Sequence, residues 1–165
     1  GSAGEIVHAL KYEGWRAAAE GMAQRMARLT WPVDVVEERA ALVPVPLSPA
    51  RLRERGFNQS DLIARTLSSR WRIPVWTDAL ARSRDTESQT RLAPNDRLRN
   101  VAGAFDVSAS VPSRLRGTHI VLVDDVDTTA ATMNACAEAL IARGVRIVSY
   151  VTFGRARAAS DRPLS

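Results

Sequence analysis

His119-Ile120-Val121-Leu122-Val123 is an apolar run without alternation, and such a run reads as a strand covered on both faces within a parallel sheet. No other stretch limits the possible folds so sharply. Beyond it, Met133, Ala137, Leu140 and Ile141 recur at helical spacing, Gly144 stands at C′, just past the helix, and Arg146 to Phe153 supplies a further strand. Strand, loop, helix and strand within about 35 residues make a βαβ crossover.

Upstream, the same alternation continues. Ala41-Leu42-Val43-Pro44-Val45 reads as a short buried strand, although Pro44 lacks a ladder donor and draws the run toward an edge. Asn58 is the N-cap expected for a helix that has Asp61 in its first turn and Leu62, Ile63 and Leu67 on its buried stripe. A second strand is expected near Ile73 to Leu80, a third at Gly103 to Val107, and a surface turn from Ser108 to Arg116. At the front, Trp15, Ala18, Ala19, Met22, Met26 and Leu29 predict an amphipathic helix that stops at Thr30-Trp31-Pro32. Ile6, Ala9 and Leu10 predict a separate short turn ending at Gly14. The expected fold class is α/β, a mainly parallel twisted sheet flanked by helices. It occupies residues 1–154, with N-terminal helices over 5–30 and a polar, frayed tail over 155–165. At this length a chain buries about 70% of its unfolded surface and needs no staple.

Several function classes drop out. Cys136 is the only cysteine, so neither an intrachain disulfide nor a cysteine-rich zinc module can form from these residues. No 18-residue apolar stretch and no basic-then-apolar leader is present, which makes a cytoplasmic protein without membrane association the expectation. The sequence contains no G-x-x-x-x-G-K-[ST], no G-x-G-x-x-G after a strand and no H-E-x-x-H. His8 and His119 are the only histidines, and each reads as packing or surface.

Ligands of open parallel sheets bind beyond the carboxyl ends of the strands, and Asp124 and Asp125 follow the most apolar strand directly. Thr128, Thr129 and Thr132 surround Ala130 and Ala131 where the next helix begins, so hydroxyls and unpaired backbone amides can converge on a phosphate. An acidic loop with a threonine cap is the plainer alternative. Arginine makes up 22 of the 23 basic residues, in a chain of formal net charge +5. The bias suits planar anions, and equally a GC-rich coding preference. Arg82 to Asn100 holds five arginines and hardly any apolar residue besides Leu92 and Leu98, too long a stretch for a casual connection. It reads as a functional lid, with a disordered surface loop as the alternative.

These residues resemble a known family. Ile120 to Thr132 resembles the phosphoribosyl pyrophosphate (PRPP) loop, residues 121–132, of type I phosphoribosyltransferases. Arg55-Gly56-Phe57-Asn58-Gln59, Arg84 to Thr90, Arg97 to Val101 with Ala104-Phe105, and Lys11-Tyr12 with Gly14 are more narrowly similar to the competence protein F (ComF) family. The resemblance runs from about Glu5 to Phe153 and implies the type I phosphoribosyltransferase fold.

It also implies a Mg2+-dependent reaction in which a nitrogen nucleophile displaces pyrophosphate from PRPP. Carried over, Asp124 and Asp125 are catalytic: they hold the ribose hydroxyls, or Mg2+ through water. Thr128, Thr129, Ala130, Ala131 and Thr132 clasp the 5′-phosphate. Leu47 to Arg55 becomes the pyrophosphate loop with Arg51, Arg53 and Arg55, Arg55 being favoured because it abuts the motif. Residues 82–100 become the flexible loop, with Arg84 and Gln89 as its substrate contacts.

The sequence departs from the family pattern in three places. Ala130 stands where glycine is usual, so its Cβ either crowds the phosphate or forbids positive φ. Asp127 replaces an apolar residue and is expected to face solvent. The family's four-cysteine zinc module is missing, as expected of a truncated core or a naturally short member. A non-catalytic role in DNA uptake, with single-stranded DNA or DNA-uptake proteins as partners, is the competing reading, which the 5% aromatic content weakens. A homodimer is the assembly implied by the fold.

Overall fold

A computed structural model describes residues 3–28, 33–82, 103–109, 112–124 and 130–152. Helix α1 (Ala3–Met26) leads to α2 (Val33–Glu38), β1 (Arg39–Pro44), α3 (Pro49–Arg55) and α4 (Gln59–Trp71). Then come β2 (Leu80–Arg82), β3 (Phe105–Val107), α5 (Pro112–Leu115), β4 (His119–Asp124), α6 (Ala130–Ile141) and β5 (Ile147–Thr152). The three long strands form a parallel sheet in the order β1-β4-β5, and β2 pairs antiparallel with β3 in a separate ribbon.

The apolar run accounts for the centre. All six residues of β4 are buried, because β1 and β5 flank it and helices cover both faces. Even- and odd-numbered side chains of β1 part to opposite faces, as the pleat requires. Leu42 joins Val121, Val123 and Val151 against Ala19, Ala23 and Met26 of α1 and Ile63, Ala64 and Leu67 of α4. Ala41, Val43 and Val45 join Ile120 and Leu122 against Met133, Cys136, Ala137 and Leu140 of α6 and against the ribbon.

Pro44 sits in β1 at no cost in ladder bonds. The Leu42 N–H donates to Pro74 O (2.9 Å) and Leu42 O accepts from Trp76 N–H (2.9 Å), so even residues of β1 face away from β4. Val45 N–H, on the odd side, donates to Val123 O (3.0 Å). The missing Pro44 donor therefore points beyond the last bridge on the outer side, where no ladder bond is due.

Four expectations need correction. Gly14 does not end a helical turn: α1 runs through it, since one glycine in a helix costs only about 1 kcal/mol and 24 residues carry the rest. The strand expected from Ile73 to Leu80 reduces to a single parallel bridge, Val75 to Leu42, before β2 begins. Pro74, which has no N–H, interrupts the pairing there. The expected surface turn 108–116 contains α5, whose Leu115 is fully buried. Helix α2 has no counterpart in the sequence reading, and α3 occupies most of the stretch read as a pyrophosphate loop, its arginines on a helix. The tail, the Arg84 and Gln89 positions and most of the lid lie outside the described residues, as do Asp125 and Thr128-Thr129.

After α6 the chain turns through Gly144, whose φ of 97° is open to glycine at little cost; an added Cβ would also stand 3.3 Å from Arg116 Cγ. Among the described residues no helix is long and apolar enough to cross a membrane.

Candidate functional site

From β1 the chain crosses through α3 and α4 to the Val75 bridge on one side of β1. From β4 it crosses through α6 to β5 on the other side. The strand order therefore reverses between β1 and β4, and a crevice at the carboxyl ends of such a pair is where open α/β sheets bind ligands. Asp124 is the last residue of β4 and lies in that crevice, only 7% exposed.

The α3–α4 turn is built around it. Ser48 caps α3, accepting from Arg51 N–H (3.3 Å), and Pro49 fits the first helical position. Gly56 ends α3 with φ 81°, a left-handed geometry that costs a residue with a Cβ about 1–2 kcal/mol. Asn58 caps α4 as the sequence suggests: its Oδ1 accepts from Ser60 N–H (3.0 Å) while its Nδ2 donates to Val45 O (3.0 Å). Ser60, 3% exposed, donates its hydroxyl to Asp124 Oδ1 at 2.5 Å. Arg55 Nη1 donates to Gln59 Oε1 (2.9 Å).

Of the proposed pyrophosphate cations, Arg51 and Arg53 are exposed on α3, whereas Arg55 is half-buried and engaged with Gln59. On the other side of the crevice α6 begins at Ala130, which is exposed; Ala131 is half-buried and Thr132 buried. Ala130 is helical, and among the described residues Arg72 is the only non-glycine with positive φ. The alanine thus meets no backbone penalty. The first amides of α6 have no intrahelical acceptor and carry the positive end of the helix dipole.

Cys136 lies beneath the site, fully buried. Burial first, and the charge of Asp124 second, push its thiol pKa up, with Arg82 opposing, so the thiol stays protonated and unreactive. His119 stands at the other end of β4, with Nε2 2.7 Å from Ser149 Oγ. Burial lowers its pKa, Glu38 opposing and Arg146 and Arg39 adding, and it takes no part in the crevice. A cleft of about 390 Å3 opens along the flank of α4, lined by Pro44, Pro46, Phe57, Asp61 and Leu62 among others; Asp124 does not line it.

At the roots of the proposed lid, Arg82 pairs with Phe105 across the ribbon, its guanidinium 5.3 Å from the ring centroid. Strands β2 and β3 are thereby tied together. Ser60 is the site residue that the sequence alone did not single out. It follows the Arg55–Gln59 motif directly, yet nothing local signals a partner 64 residues away.

A profile of the phosphoribosyl transferase domain matches residues 55–164. The DNA utilization protein YhgH of Escherichia coli K12 is 34% identical over 150 residues, 87% of this chain and 63% of that protein. Competence protein F of Haemophilus influenzae is 34% identical over 83% of this chain and 57% of its own length. Competence protein ComFC of Bacillus subtilis is 34% identical over 66% and 41%. The chain spans about three fifths or less of these relatives. The α/β crevice, the strand-end acid and these matches agree: the chain belongs to the phosphoribosyl transferase family, in its competence protein F-like branch.

Proposed function

We propose that this chain binds PRPP with Mg2+ and transfers its phosphoribosyl group to a nitrogen acceptor, releasing pyrophosphate. The observation that carries the reading is the position of Asp124, buried at the carboxyl end of β4 where the strand order reverses. Its carboxylate would accept hydrogen bonds from the ribose hydroxyls. As the bond to pyrophosphate lengthens, positive charge grows on the sugar, and a fixed anion in a water-poor crevice lowers the energy of that state. The α6 amides, with Thr128 and Thr129, would hold the 5′-phosphate. Arg51 and Arg53, exposed on α3, are the cations best able to reach the leaving group, and Arg55 would contribute through the group it does not give to Gln59.

Mg2+ prefers oxygen donors, keeps several waters and is held through one or two carboxylates plus substrate phosphates. Asp124 with Asp125 fits that donor set. Once bound, Mg2+ would neutralise charge on the pyrophosphate.

The relatives' names raise the second reading, a DNA-handling accessory. Tyr150 stands exposed on β5, but three other described rings are already covered: Trp71 lies under Arg39 (4.9 Å), Trp76 under Arg114 (5.2 Å) and Phe105 under Arg82. A stacking base would have to displace a guanidinium at each.

A pyrophosphate-release screen tests the transferase reading, using PRPP, Mg2+ and a panel of nucleobases, amines and ammonia. The natural chain should release pyrophosphate with at least one acceptor, and Ala130→Gly should bring no gain, because Ala130 is already helical. Release by the glycine variant alone would contradict the reading for the natural chain.

A further inference from the structure

We propose that Ser60 is a positioning residue for Asp124, and that the Arg55–Ser60 turn is a clamp whose work is to aim that carboxylate. The proposal rests on the PRPP reading for what Asp124 touches, but the clamp itself stands on geometry. An ionised carboxylate has no proton to give, so the Ser60 hydroxyl is the donor, and 2.5 Å is the length of a hydroxyl bonded to an anion. Both groups are buried, so water does not readily replace the bond if it is lost.

Ser60 cannot easily move either, because a chain of bonds fixes it to the strands that carry the site. Val45 N–H binds Val123 O, the carbonyl next to Asp124; Val45 O receives Asn58 Nδ2; and Asn58 Oδ1 receives Ser60 N–H. The hydroxyl of Ser60 closes the ring on Asp124. Arg55 and Gln59 brace the same turn from outside. A side chain held by such a ring is restricted to one orientation, and preorganisation of this kind is what a charge-stabilising group requires.

The test compares wild type, Ser60→Ala and Ser60→Thr by calorimetric titration with PRPP and Mg2+, and by crystal structures of the three proteins. Ser60→Ala should bind roughly 10-fold more weakly, about the effect of one hydrogen bond to a charged group, with the Asp124 side chain turned from its wild-type orientation. Ser60→Thr keeps the hydroxyl and should restore both. A role in packing alone would not give that rescue. If Ser60→Ala fails to fold, Ser60→Cys, of similar size with a weak donor, replaces it. Equal affinity in wild type and Ser60→Ala, or an unmoved Asp124 in the Ser60→Ala crystal, would overturn the clamp and leave PRPP binding intact. If wild type itself does not bind PRPP, that reading falls, and the orientation of Asp124 in the Ser60→Ala crystal alone decides the clamp.

Discussion

Asp124→Asn should lower the rate of pyrophosphate release by about 100- to 1000-fold, the usual loss when one preorganised charge-stabilising group is removed. Asparagine is close in size to aspartate, and its side-chain oxygen can still accept from Ser60, so the buried ring of bonds around the turn stays closed. What disappears is the charge. The variant should therefore melt close to the wild-type temperature while losing turnover, a combination that separates a chemical role from a structural one. Steady-state release rates together with calorimetric melting check it. A variant with near-wild-type turnover would mean that Asp124 is only a buried end of β4.

The second large effect concerns stability. Leu122 is fully buried at the middle of β4 and packs in the cluster that holds Met133, Cys136 and Leu140 of α6. Leu122→Ala leaves a cavity in the strand that both neighbouring strands use, and should cost about 2–5 kcal/mol. For a domain of this size, each kcal/mol moves Tm by about 2–4 °C, so a fall on the order of 10 °C is expected. Scanning calorimetry measures it. An unchanged Tm would show that the apolar run is not the centre of the core.

That run was also the most legible part of the chain. Burial on two faces removes the need for alternation, so His119 to Val123 announces a central strand without reference to any other segment. Asn58 was legible for a similar reason, since a cap bonds within its own turn. The Ile73 to Leu80 segment mimics a strand because its apolar content is real, with Ile73 and Leu80 buried, but Pro74 allows only one bridge. Short helices such as α3 carry too few residues for a period, and its Ser48-Pro49 start was the one usable sign. The link from Ser60 to Asp124 could not be read at all, because 64 residues separate two groups that only the folded sheet brings together.

The arginine bias divides in the same way. Arg39, Arg82 and Arg114 lie over aromatic rings and contribute to packing, while Arg51 and Arg53 stand exposed beside the crevice. Composition alone could not distinguish these uses, since stacking and anion binding draw on the same planar group.

Calorimetric titration of the natural chain with PRPP in the presence of Mg2+, repeated on Asp124→Asn, tests the central claim most directly. Saturable binding by the natural chain, lost or greatly weakened in the variant, is the predicted result. The absence of any binding by the natural chain at millimolar PRPP would contradict it.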